Sequence, residues 1–102
     1  VVRLNFHPAA SDELVEAAAW YDARVPDLGM DLLEEVAAAT AASVEAPETW
    51  PRWGTVRGES VRRFIIARFP YSIPYVVRSD RVIVLAVAHA KRRPGYWRRR
   101  LR

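Results

Sequence analysis

Positive charge is the chemistry this chain has most of, and it is gathered at one end. Residues 1–50 carry two basic side chains, Arg3 and Arg24, against ten acidic ones, whereas residues 51–102 carry fourteen basic and two acidic, Glu59 and Asp80. The run Lys91-Arg92-Arg93 leads to Arg98-Arg99-Arg100 and Arg102, and further arginines stand at 62, 63, 68, 78 and 81. Guanidinium groups in this number suit phosphates or the carboxylates of an acidic partner. Among them lie His89, whose imidazole ordinarily titrates near neutrality, and Tyr96-Trp97, whose rings can stack on bases. Each also has a plainer reading. His89 serves equally as a strand-end residue bonded to nearby backbone, and Tyr96-Trp97 as an anchor pinning the tail to the sheet or to the first helix.

Other chemistries are excluded by what is missing. The chain has no cysteine, which removes disulfides, thiolate nucleophiles and thiolate metal sites together. Two distant histidines make no metal cluster, and no glycine-rich loop is present to cradle a phosphate. No metal and no cofactor are therefore expected. No apolar run reaches the roughly 18–20 residues that span a bilayer. Val1-Val2-Arg3-Leu4-Asn5 lacks the long apolar stretch of a secretion signal, so a cytoplasmic location without membrane contact is expected.

The elements that must position these groups follow from periodicity. Val2–Phe6 alternates as a short strand. Pro8 suits a first helical turn, Asp12 and Glu13 suit its positive end, and Leu14, Ala17, Ala18, Tyr21 and Val25 recur at helical spacing to about Arg24. His7 reads as a helix-entry residue and Trp20-Tyr21 as helix packing. Pro26-Asp27-Leu28-Gly29 breaks the helix, and a second runs from about Gly29 to Glu45 on the stripe Leu32, Leu33, Val36, Ala37, Thr40 and Val44. The dense alanines allow close approach, so the two form an antiparallel hairpin over about 8–45.

Residues 47–60 read as a long loop tacked down by Trp50 and Trp53. Strands are expected at Val61–Phe69, Ser72–Arg78 and Val82–His89, the last nearly continuous in apolar residues. Pro74 demands a bulge or an open N–H side. One domain over 1–102 results: hairpin, loop, a β-meander over 61–89 and a basic tail over 91–102. The order is β-α-α-β-β-β, an α+β fold with an antiparallel sheet and the hairpin packed on one face.

In this setting several segments carry a family likeness. They are Leu14-Val15-Glu16-Ala17 to Trp20-Tyr21, Leu28-Gly29, Pro47 to Trp50-Pro51, Phe69-Pro70-Tyr71-Ser72-Ile73 with Tyr75, Val84–His89, and Arg92-Arg93-Pro94-Gly95-Tyr96-Trp97. Their order and spacing resemble the RelE/ParE superfamily of toxins from type II toxin–antitoxin systems over essentially the whole chain. The resemblance implies a growth inhibitor held by a cognate antitoxin in a hetero-oligomer such as a heterotetramer, with operator DNA reached only through the antitoxin. It leaves two targets: the ribosome and its mRNA, cut by RelE-like members, or DNA gyrase, bound by ParE-like members that are not nucleases.

RNA cleavage without a metal needs a base, cations for the charged phosphorane and an acid for the leaving oxygen. RelE-like enzymes draw these from Lys or Arg on the sheet and from Tyr, His or Glu near the chain end, which singles out Arg63, Arg68, His89 and Tyr96 as catalytic candidates. Arg63 and Arg68, five apart, fall on opposite faces of an unbroken strand. Where some ribosome-dependent relatives carry an active-site Arg, this chain has Pro70-Tyr71. Both departures favour the gyrase-directed branch. A ribosome-dependent endoribonuclease is the alternative, and a non-toxic nucleic-acid-binding module the third reading.

Two surfaces are assigned on this basis. Lys91, Arg92, Arg93, Arg98, Arg99 and Arg100 are the candidates for holding the target or nucleic acid. Phe64 and Ile66 point to one face of their strand, and Ile65, Ala67 and Phe69 to the other. The hairpin covers one face only, so an antitoxin segment is expected against Phe64 and Ile66, its carboxylates meeting Arg68 and Arg78.

Overall fold

A computed structural model describes residues 3–101; Val1, Val2 and Arg102 lie outside the described residues. The elements are β1 (Arg3–Phe6), α1 (Pro8–Asp22), α2 (Leu28–Glu45), β2 (Arg52–Val56), β3 (Glu59–Ile65), β4 (Tyr71–Arg78), β5 (Arg81–Val84), β6 (Ala88–His89) and a single 3-10 turn at Arg98–Arg100. They form an α+β fold in which the sheet runs β1-β5-β4-β3-β2, with β6 paired to the start of β4. All pairings are antiparallel except β1 with β5, which is parallel, so the sheet is mixed.

The helical hairpin is set by its ends. Pro8 occupies the first turn of α1, and the Nδ1 of His7 accepts the N–H of Ala9 at 3.1 Å, capping it. Between the helices Asp27 adopts a left-handed conformation (φ 67°). Cap duty for α2 then falls to Asp22 at the end of α1, whose Oδ1 accepts the N–H of Gly29 at 2.7 Å. The helices cross closely enough that a Cβ on Gly29 would sit 2.3 Å from the Ala18 carbonyl oxygen. Only glycine fits there. The buried hydroxyls of Thr40 and Ser43 are satisfied on their own helix, by Val36 and Thr40 carbonyls at 3.0 and 2.7 Å.

Two strands depart from the sequence expectation. The stretch 47–60 is not a loop throughout, since β2 and the start of β3 lie in it, joined by Arg57-Gly58 with φ of 51° and 79°. Two positive φ values make the turn that matches strand twist, but arginine at its first position gives a weak turn signal. The expected strand Val82–His89 is instead interrupted at residues 85–87. Pro74 explains the break. Its carbonyl accepts from Leu85 at 2.9 Å, so its missing N–H faces the same neighbour, and regular pairing stops there. The expected Val61–Phe69 strand also ends early, at Ile65.

The sheet has a core on each face. Under the hairpin, Phe64, Ile66, Phe69, Ile73, Tyr75, Val82 and Val84 pack against Ala10, Ala17, Leu32 and Val36. Trp50 joins them with its ring 4.1 Å from Phe64, and the Tyr75 hydroxyl donates to the Pro47 carbonyl at 2.6 Å. On the opposite face Val56, Val61, Val76, Leu85, Ala86 and Ala88 are covered by Trp97 and Leu101 of the tail. The tail is a strap over the second face.

Candidate functional site

The strap is fastened at two places. Trp97, 3% exposed, meets the indole of Trp53 at 4.9 Å between centroids, and Trp53 reaches that face through a bulge in β2 between Arg52 and Gly54. The second fastening is polar. Glu13 of α1 accepts from both terminal nitrogens of Arg100 at 2.8 and 2.9 Å, from the Tyr96 hydroxyl at 2.6 Å and from the Val87 N–H at 3.0 Å. Arg100 also donates to the Leu85 carbonyl at 2.9 Å. Burial alone would raise the Glu13 pKa, but the hydrogen bonds from Arg100, Tyr96 and Val87 outweigh it and hold the carboxyl below 4.5. Burial, then the bond to Glu13, pushes the Tyr96 phenol well above its usual range, so it stays protonated.

Two cavities flank this latch. The smaller, about 90 Å³, lies on the strap side and is lined by Arg63, Ser72, His89, Arg92, Arg93 and Tyr96 among others, with no carboxylate in its wall. The larger, about 390 Å³, opens between α1 and β6 and is walled by Trp20, Tyr21, Tyr71 and Val87, with Glu13 and Glu16 on the α1 side. His89 and Arg92 line both. His89 packs edge-on to Tyr71 at 5.1 Å, and its Nδ1 accepts the Lys91 N–H at 3.0 Å. The Arg92 guanidinium stacks 3.9 Å from the Tyr96 ring centroid. Desolvation, followed by the neighbouring Tyr21, pushes the Tyr71 hydroxyl up to about 12.

Of the residues singled out from the sequence, Arg63, His89 and Tyr96 come together at the smaller cavity. Arg68 does not; it lies past the end of β3 and pairs with Asp31 of α2 at 3.3 Å. Lys91, Arg92, Arg93, Arg98 and Arg99 are exposed, whereas Arg100 is turned inward onto Glu13. Arg78 holds Glu59 across the β3–β4 pair through two bonds of 2.7 and 2.6 Å. Phe64 and Ile66 require correction as surface residues: they are 4% and 5% exposed, because they point under the hairpin. Phe69 lies with them, since the chain turns after Ile65, and Ile65 itself is left 72% exposed on the other side.

Two contributors were missed. In the sequence Glu13 is only favourable charge at a helix start, and no local pattern couples it to a tail more than eighty residues on. Trp20, expected from its helical spacing to pack, is 52% exposed at the rim of the larger cavity, with the Arg24 guanidinium 3.4 Å from its ring centroid. Among the described residues no group of three His, Cys, Asp or Glu is placed to hold a metal, and no helix is long and apolar enough to cross a membrane.

This small mixed sheet with a helical hairpin on one face is similar in fold to a solved structure. That structure, titled "Chromosomal ParDE TA system from P. aeruginosa", superposes with a TM-score of 0.75 over 88% of this chain and 97% of that one, at 17% sequence identity. No curated protein matches the sequence. The sequence pattern of the family described as ParE toxin of type II toxin-antitoxin system, parDE, matches residues 4–94. The chain belongs to that ParE toxin family.

Proposed function

We propose that the chain inhibits growth by binding DNA gyrase and that a cognate antitoxin with an acidic segment neutralises it. The observation carrying the gyrase reading is the fate of the groups a metal-free nuclease would need. The Tyr96 hydroxyl is committed to Glu13 and held protonated, and Arg68 stands with Asp31 on the helix side, away from Arg63. What faces outward is a set of cations and aromatic rings, which suits binding rather than proton transfer.

For the antitoxin, exposed Ile65 offers an apolar anchor beside Arg63, and Arg68, just past the end of β3, a charge on the helix side. The Arg68–Asp31 pair is open to solvent on both sides and contributes little, so an antitoxin carboxylate can replace Asp31 at small cost. A ribosome-dependent endoribonuclease is the second reading, favoured by the convergence of Arg63, His89 and Tyr96 on one cavity.

The purified chain should inhibit supercoiling by gyrase and should produce no A-site cleavage when mRNA on stalled ribosomes is mapped by toe-printing. Uninhibited supercoiling would overturn the proposal, and A-site cleavage would install the second reading.

A further inference from the structure

The two cavities beside the latch differ in chemistry but share a ridge. We propose that together they bind a nucleotide, with its phosphate among Arg63, Arg92 and Arg93 and its base in the aromatic-walled cavity against Trp20 and Tyr71.

The smaller cavity has the character of an oxyanion site. Its three guanidiniums have no acidic partner among the described residues, Ser72 adds a hydroxyl, and no carboxylate competes. Guanidinium forks bind phosphate oxygens in pairs, and partial enclosure strengthens the attraction. At about 90 Å³ the space holds one such group and not a ring system. By contrast, the cavity at the far edge of the sheet carries Glu48 and Glu59 beside Arg62, and its carboxylates would repel a phosphate.

The larger cavity, about 390 Å³, lies within the range of small-ligand sites. A base has a π face for Trp20 and Tyr71, and stacking of this kind tolerates any base. Glu16 adds selectivity. Its carboxylate accepts hydrogen bonds only, so it favours the two N–H donors of an exocyclic amino group, as in adenine, over thymine, whose single N3–H is flanked by two carbonyl oxygens that a carboxylate repels. Glu13, in the same wall, is neutralised by Arg100 and does not oppose the ligand's charge. His89 and Arg92, common to both cavities, would lie along the sugar. An acidic side chain of a protein would fill the small cavity but leave the aromatic one empty, and Glu16 would repel a second carboxylate.

Calorimetric titration of the full chain with AMP, TMP, adenosine and inorganic phosphate tests this, alongside short oligo-dA and oligo-dT strands. AMP should bind more tightly than TMP, adenosine or phosphate. Glu16→Gln should erase the preference for adenine, because an amide both donates and accepts. Trp20→Ala should weaken AMP about tenfold, and Arg63→Ala with Arg93→Ala should weaken it at least as much. Melting curves of each variant establish that these exposed or half-buried changes leave the fold intact. Oligo-dA binding more tightly than AMP identifies a single strand as the source of the nucleotide; AMP binding as tightly as the strand identifies the free nucleotide. The proposal is overturned if neither AMP nor oligo-dA binds at millimolar concentration. It is equally overturned if inorganic phosphate matches AMP and Trp20→Ala changes nothing.

Discussion

The two faces of the sheet are closed in different ways. On one, a two-helix layer lies over aliphatic and aromatic side chains, and its buried hydroxyls bond to their own helix. On the other, a short strap does the closing with one indole, one leucine and one largely buried ion pair. The first face is closed by apolar packing, with charge from the basic half only at its margin, where Arg62 donates to the Trp50 carbonyl at 2.6 Å and Arg68 pairs with Asp31. The second uses Arg100 as a structural part and leaves Arg92 and Arg93 at its margin. Positive charge in this chain therefore has two jobs, and sequence position alone does not separate them: Arg99 is exposed while Arg100 is latched.

If the strap closes a true core, its plug should matter as much as a core residue. Trp97→Ala removes a side chain 3% exposed, and such truncations cost about 3–5 kcal/mol. Urea unfolding should show a loss of that size, and hydrogen exchange at Val61 and Val76 should accelerate more than at Leu32 and Val36. An unchanged urea midpoint would mean that the strap is merely draped over the sheet.

The polar fastening should come next. Glu13→Ala leaves the Arg100 guanidinium in a site that is 17% exposed without its carboxylate, a change worth about 3 kcal/mol. Glu13→Gln should cost less, because the amide oxygen still accepts from Tyr96 or Val87. The wild-type latch should also titrate. The Glu13 pKa is depressed in the folded state, so its contribution is complete above the unfolded value near 4.5 and fades as pH falls through the lower folded value. Urea midpoints measured from neutral to acidic pH should therefore fall below that point in the wild type, and less steeply in Glu13→Gln. Parallel pH profiles would remove Glu13 from the account.

Much of the helix face was legible in the sequence. Leu32, Val36, Ala17 and Tyr21 recur at helical spacing, and the Gly29 break marks a real close approach to Ala18. The strap face was less legible, because its determinants are not local. Pro74 is visibly awkward for a strand, yet its effect falls on residues 85–87 of the neighbouring strand, where the sequence by itself reads as unbroken. β2 was hidden by a turn with arginine at a left-handed position, and the bulge at Trp53 hid which face that indole would join. The site suffered in the same way. Arg63, His89 and Tyr96 could be named individually, but Glu13 and Trp20 enter only when α1 is laid beside the tail.

The smallest effect expected on folding is also the one that best separates the faces. Ile65 and Phe64 are adjacent in β3, one 72% exposed and the other 4%. Alternation along the strand makes neighbours face opposite ways. Ile65→Lys exchanges an apolar side chain in water for a solvated cation, so stability should move by no more than about 0.5 kcal/mol. Phe64→Lys, by contrast, would bury an ammonium among the rings of Trp50 and Tyr75, and should prevent folding. Ile65→Lys then becomes a clean probe of binding. If the antitoxin docks on the open end of β3, this folded variant should resist neutralisation while wild-type toxin is silenced, as read by growth on co-expression and by co-purification. Full neutralisation of Ile65→Lys would move the antitoxin to another surface, and the exposed isoleucine would need no partner at all.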